Sequence, residues 1–268
     1  DLVPNFKPKN KDIKQYVYIS AKEKTGIQEL KSKLVQVAKT KQEKFILKDI
    51  VNPKDTVVLV IPIDKAAPKG RLILPQQQVI RELLDIGATA IMTQDDNLEN
   101  TLANLKTKPK FIITDSQVFG KVNKIVPQDI ELTSFSILFS RYKGDLKRQV
   151  NAVKVLDTIK DDDKILIAEG CTHHRQCDDI GTVKLPNWIK NYTKANPEFI
   201  FTSGTEFPDD LSKYKLIIHC GGCMLNQAEM QSRLKKAHEQ NIPMSNYGTT
   251  IAYIHGILNR TLHVFSDF

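Results

Sequence analysis

Lys215-Leu216-Ile217-Ile218-His219-Cys220-Gly221-Gly222-Cys223 is an apolar run of strand length that stops abruptly at a pair of cysteines. An unbroken apolar run, without polar alternation, reads as a strand covered on both faces, the condition of a parallel sheet. Residues 224–240 then read as a helix. In open parallel sheets ligands bind beyond the carboxyl ends of the strands, and the cysteines stand at such an end.

The same succession recurs upstream. The strand Lys164–Ala168 leads into Glu169-Gly170-Cys171-Thr172-His173-His174. Further strands are expected at 134–139 and 198–202, with a helix over 146–159. Residues 49–129 read as strand 57–63, helix 76–86 ended by Gly87, strand 88–93, helix 97–105 and strand 110–114. Residues 1–48 offer one strand, 15–19, and one helix, 26–40, with Ile27, Leu30, Leu34, Val37 and Ala38 on one face. One strand and one helix cannot enclose a core, so this region reads as the tail of a larger domain. The expectation is an α/β protein: two α/β domains with mostly parallel sheets, preceded by a strand-helix segment. No internal repeat is legible.

A chain of 268 residues with 41% hydrophobic content can bury full cores. No apolar stretch reaches the roughly 20 residues a membrane helix needs, and residues 1–12 lack a secretory pattern, so a cytoplasmic address is expected. The 39 Lys and Arg against 31 Asp and Glu give a net charge of +8. Much of the excess lies in 7–14 and 31–48, where a solvated face explains it, and no aromatic-interleaved pattern points to nucleic acid.

All four cysteines are clustered: Cys171 with Cys177, and Cys220 with Cys223. In a reducing compartment that points to metal binding or thiol chemistry rather than disulfides. Two thiolates spaced Cys-x-x-Cys reach one metal, Gly221 and Gly222 let the backbone fold around it, and a helix start beyond Cys223 favours negative charge. Three chemistries use this ligand set: a [4Fe–4S] cluster with one labile iron, a closed zinc site, and a redox dithiol. Spacing alone leaves the three open.

Cys171-x-His173, an interval of 45 residues, then His219-Cys220-x-x-Cys223 form a signature that resembles the HydF family of [FeFe]-hydrogenase maturation scaffolds. Ile167-Ala168-Glu169, Asp178-Asp179-Ile180-Gly181 and residues 60–70 resemble that family too. Ser20-Ala21-Lys22 resembles the fifth guanine-nucleotide motif of Ras-like GTPases, and Asp1 the end of the preceding motif. The resemblance implies a remnant of a GTPase domain with linker over 1–48, a dimerisation domain over 49–129 and an iron–sulfur cluster-binding domain over 130–268. It implies a scaffold that holds a [4Fe–4S] cluster on Cys171, Cys220 and Cys223. It also implies a transient diiron precursor of the hydrogenase H-cluster, radical-SAM maturases and apo-[FeFe]-hydrogenase as partners, and a homodimer. The fourth-ligand candidates are Cys177, which replaces the acidic residue common in the family pattern, His173, His219 and Glu169. Arg141, Lys143 and Arg175 would supply positive charge for an anionic precursor. No G-x-x-x-x-G-K-S/T loop is present, so GTP belongs to the complete parent protein and this chain is not expected to hydrolyse it.

Overall fold

The computed structural model describes residues 16–37, 44–63, 70, 72–170, 179–266 and 268. They fall into two units, one within residues 1–44 and one within residues 45–268.

In the first unit, helix α1 (Ile27–Val37) forms as its apolar spacing predicts. The strand expected over 15–19 does not: described residues 16–19 carry no strand, and Ser20 makes an isolated antiparallel bridge to Thr25. A strand exists only by pairing, and this unit's described residues supply nothing longer to pair with. Ser20-Ala21-Lys22 is a turn closed by the Glu23 N–H on Ser20 Oγ at 2.9 Å. Gly26 follows at φ +70°, where a Cβ would run into the Tyr18 carbonyl oxygen.

The second unit carries two sheets. Strands β1 (Thr56–Val60), β2 (Thr89–Thr93), β3 (Phe111–Thr114) and β4 (Glu131–Ser134) form the first in the order β2-β1-β3-β4, all parallel. Helices α2 (Leu74–Ile86), α3 (Leu98–Ala103) and α4 (Phe119–Ile125) are its crossovers. The central strands are apolar without alternation and buried except at Thr56, as a sheet covered on both faces requires. Packing begins at Phe45: Ile46 and Leu47, in the lysine-rich stretch that reads as linker, are buried. Glu82 of α2 holds them there by accepting the N–H groups of Ile46, Leu47 and Lys48.

β4 runs straight into α5 (Phe135–Lys143). A strand was expected at 134–139, and the correction is instructive. Ser134 Oγ accepts the Ile137 N–H at 3.2 Å, an N-cap that turns the chain into a helix. Phe135, Ile137, Leu138 and Phe139 are all buried, so no polar face betrays the helical period.

After α6 (Leu146–Val153) and a 3-10 turn, the second sheet comprises β5 (Lys164–Ala168), β6 (Glu198–Thr202), β7 (Leu216–His219) and β8 (Met244–Asn246). Its order, β6-β5-β7-β8, is again all parallel. Helices α7 (Leu185–Thr193) and α8 (Gln227–Glu239) are crossovers. β8 enters α9 (Tyr247–Ile254) without a loop, as β4 enters α5, and α10 (Leu258–Leu262) follows. Both sheets are α/β layers of one topology, although no repeat is visible in the sequence. No described helix is long and apolar enough to cross a membrane.

Candidate metal centre

β5 and β7 are neighbours, with Ala168 opposite His219, so the residues after each strand emerge side by side. The Cys220 N–H bonds the Ala168 carbonyl at 2.9 Å, which carries the sheet's ladder one step past β7. Cys220 Sγ then accepts two backbone N–H groups, from Gly170 at 3.0 Å and Gly222 at 3.4 Å. Such donors stabilise a sulfur that bears negative charge. Burial acts the other way and pushes the Cys220 thiol up to about 11. With its proton removed, the sulfur's charge would be met by these two backbone N–H groups.

The loop is shaped for close approach. Gly222 has φ +61°, and a Cβ there would sit 3.3 Å from Met230 Sδ; a Cβ on Gly170 would sit 2.7 Å from Leu225 Cγ. Neither cysteine is disulfide-bonded. The helix expected directly after Cys223 starts later, at Gln227, with Asn226 Oδ1 capping the Glu229 N–H at 2.8 Å. Its dipole thus acts on the loop across an intervening turn.

His219 is wholly buried. Arg233 Nη1 stands 3.1 Å from its Nε2, and a guanidinium can only donate, so the ring proton is on Nδ1. Nδ1 gives it to the Cys220 carbonyl at 2.8 Å. Burial, assisted by the Arg233 charge, lowers the imidazole to about 4. Arg233, only 2% exposed, also holds the Gly204 carbonyl at 2.8 Å and Glu229 at 2.8 Å. His219 thus already has a protein partner on each nitrogen and fixes the base of the cysteine loop.

Glu169 is 3% exposed, and Tyr247 Oη donates to its Oε1 at 3.3 Å. Burial and the Glu169 charge raise the Tyr247 phenol, which keeps it protonated as a donor. Gly181 makes room for the pair: a Cβ would meet the Tyr247 hydroxyl and lie 2.5 Å from Glu169 Oε1.

Of the three cations expected to hold a precursor, Arg141 pairs with Asp49 and lies 5.0 Å over the Phe265 ring. Lys143, 7% exposed, points Nζ at the carbonyls of Gly222, Cys223 and Leu225, at 3.0, 3.2 and 2.9 Å. Burial lowers its ammonium, opposed by the charges of Cys223 and Cys220. Asp1, Cys171, His173, Arg175 and Cys177 lie outside the described residues. Among the described residues no group of three or more His, Cys, Asp and Glu is gathered to hold a metal ion. Arg233 escaped sequence reasoning because a charged residue on an amphipathic helix reads as solvated surface. The spacing of Glu229 and Arg233 was the available signal.

Two family models match the chain: the Hydrogen maturase F dimerization domain over residues 46–144 and the Hydrogen maturase F tetramerization domain over 147–264. No curated protein matches. Solved structures with some likeness include an NtrC family transcriptional regulator from Clostridium acetobutylicum, 10% identical with a TM-score of 0.24, over 78% of this chain and 97% of that one. A ribose operon repressor from Lactobacillus acidophilus is 12% identical with a TM-score of 0.25, over 80% and 90%. A 5,10-methylenetetrahydrofolate dehydrogenase from the silkworm Bombyx mori is 13% identical with a TM-score of 0.25, over 88% and 92%. Likeness this shallow carries no argument.

Proposed function

Because the chain belongs to the hydrogen maturase F family and so serves hydrogenase maturation, we propose that it is a scaffold for a [4Fe–4S] cluster held by Cys171, Cys220 and Cys223. The observation that carries this reading is the Cys220 sulfur, gripped by the N–H groups of Gly170 and Gly222 at the junction of two parallel strand ends. Gly170 is bonded to Cys171, so the chain that donates to one cysteine delivers the next.

A bound cluster would supply an iron not held by these three thiolates, where a precursor could attach and leave. This chain's residues would supply the frame. Gly170 and Gly222 orient the Cys220 sulfur, Arg233 and His219 fix the loop's base, and Lys143 balances negative charge. Cys177, His173 and Glu169 remain the fourth-ligand candidates, since His219 is occupied by Arg233 and its neighbour's carbonyl, and Cys177 would close the site with a tighter, less exchangeable ligand. The proposed cargo is the diiron H-cluster precursor, received with radical-SAM maturases and passed to apo-[FeFe]-hydrogenase in the cytoplasm. Self-association as a dimer or higher oligomer fits the names of both matched models. Arg175 is the remaining candidate cation for the precursor.

The test is anaerobic reconstitution with iron and sulfide, followed by elemental analysis and electron paramagnetic resonance of the reduced protein. A cubane signal lost in Cys171→Ala is expected. Stoichiometric zinc without colour, or a reversible dithiol couple without iron, would replace this reading with one of its two rivals.

A further inference from the structure

The loop that carries Cys220 and Cys223 belongs to the second sheet, yet one of its buried cations comes from the first. Lys143 is the last residue of α5, which continues directly from β4. Its three ammonium hydrogens face three carbonyls of the loop, Gly222, Cys223 and Leu225, at 3.0, 3.2 and 2.9 Å. A buried ammonium loses its water, which only hydrogen bonds from all its protons can offset, and here the loop provides them. The reverse contact also exists. Gln231 of α8, the helix that follows the loop, donates Nε2 to the carbonyls of Lys143 and Gly144 at 2.7 and 3.1 Å. Those carbonyls stand at the C-terminal end of α5, where the intrahelical ladder runs out. Gly144 allows the tight exit, since a Cβ would lie 2.6 Å from the Ser140 carbonyl oxygen.

Each segment thus donates to backbone carbonyls of the other, and neither set of bonds survives if the two move apart. We propose that Lys143 and Gln231 form a reciprocal clamp by which the half of the unit matched to the dimerization model sets the shape of the cysteine loop. Lys143 is a positioning residue: it acts on a bound centre through the carbonyls and sulfurs of the loop. The positive charge it brings also favours electron entry into an anionic centre held there, a consequence that rests on the function proposed above. A change in α5, whose neighbours include α2 and α9, would accordingly be felt at the cysteines.

The clamp is tested first on the metal-free chain, by hydrogen exchange of loop amides 220–225. Lys143→Met and Gln231→Ala are each expected to speed exchange there by about tenfold or more while β1 and β3 keep their protection. Wild-type exchange in both variants overturns the clamp. Should Lys143→Met fail to fold, Gln231→Ala decides alone, because Gln231 is exposed and its loss removes only the return half of the contact. On the reconstituted protein, Lys143→Gln keeps a donor and loses the charge. It should move the centre's reduction potential to a more negative value and quicken iron loss to a chelator by about tenfold. An unchanged potential with a loosened loop would reduce Lys143 to a structural residue and overturn the positioning role. If the wild type takes up no iron and sulfide, the proposed function fails, and the exchange experiment still decides the clamp.

Discussion

Asp115 and Cys220 occupy the same place in two copies of one topology. In the first sheet Val60 is opposite Thr93 and Thr114, and Thr114 is opposite Ser134; in the second, Ala168 is opposite Thr202 and His219, and His219 is opposite Asn246. One step beyond the ladder the match persists. The Asp115 N–H reaches the Val60 carbonyl at 3.3 Å, and the Cys220 N–H the Ala168 carbonyl at 2.9 Å. Asp115 Oδ1 accepts the Gln117 N–H at 3.1 Å, and Cys220 Sγ accepts the Gly222 N–H at 3.4 Å. Even the preceding residues correspond: Thr114 Oγ1 donates to the Asp115 carbonyl at 3.3 Å and His219 Nδ1 to the Cys220 carbonyl at 2.8 Å. The backbone needs only an acceptor at this position. Sulfur in place of oxygen leaves the turn intact and would offer a soft ligand to the centre proposed above, on a turn that either element can close.

This comparison is broken or sharpened most strongly at the sulfur itself. Cys220→Ser keeps an acceptor and should leave far-ultraviolet circular dichroism unchanged while bound iron after reconstitution falls by about tenfold or more. Asp115→Asn, the matching change in the first sheet, should leave iron content at the wild-type value. Equal iron loss in both would mean that the two sheet ends are not chemically distinct.

Next in size is the support behind each turn. Arg233→Met leaves His219 Nε2 and the Gly204 carbonyl without their donor, and should cost about 4 kcal/mol in urea-unfolding stability. The third effect is confined to the second sheet, since Thr114 carries no titratable proton. His219 falls from its ordinary 6.5 to about 4, so the unfolded chain binds the extra proton across that interval. Stability of the metal-free protein should therefore be full above pH 6.5 and decline as pH falls toward about 4, by about 3 kcal/mol in all. His219→Gln should flatten that decline, and unfolding midpoints at several pH values would show whether it does. Smallest is Thr114→Val, which removes one hydroxyl bond and should cost about 1 kcal/mol by the same measurement.

The parts of this architecture legible in the sequence were those with long apolar strands. β5, β6 and β7 lie at or within one residue of their expected places because unbroken runs such as Leu216–Ile218 have few alternatives. β8 was not anticipated: three residues, two of them polar, are buried only because β7 is beside them. α9 was missed as well, its Gly248, Thr249 and Thr250 being poor helix formers that tertiary packing overrides. For the site, sulfur and glycine were informative one residue at a time, since each has a chemistry few others share. Arg233 was not, because a buried cation and a solvated one are spelled alike; Lys143 was singled out for its charge, but not the carbonyls that fold back to meet it.

Ser136 and Gly248 are a last instance of the correspondence, each two residues past the end of its ladder. They meet each other: the Gly248 N–H bonds Ser136 Oγ at 3.2 Å, and a Cβ on Gly248 would lie 2.6 Å from the Ser136 Cβ. Matching positions that touch across a junction cannot both carry a side chain. A tandem duplicate of either half would jam at its own symmetry axis if built from the first, or leave a hole there if built from the second. Divergence at this point is a steric requirement of the fold, and any design that tries to idealise the protein into two identical halves must begin by breaking the identity here.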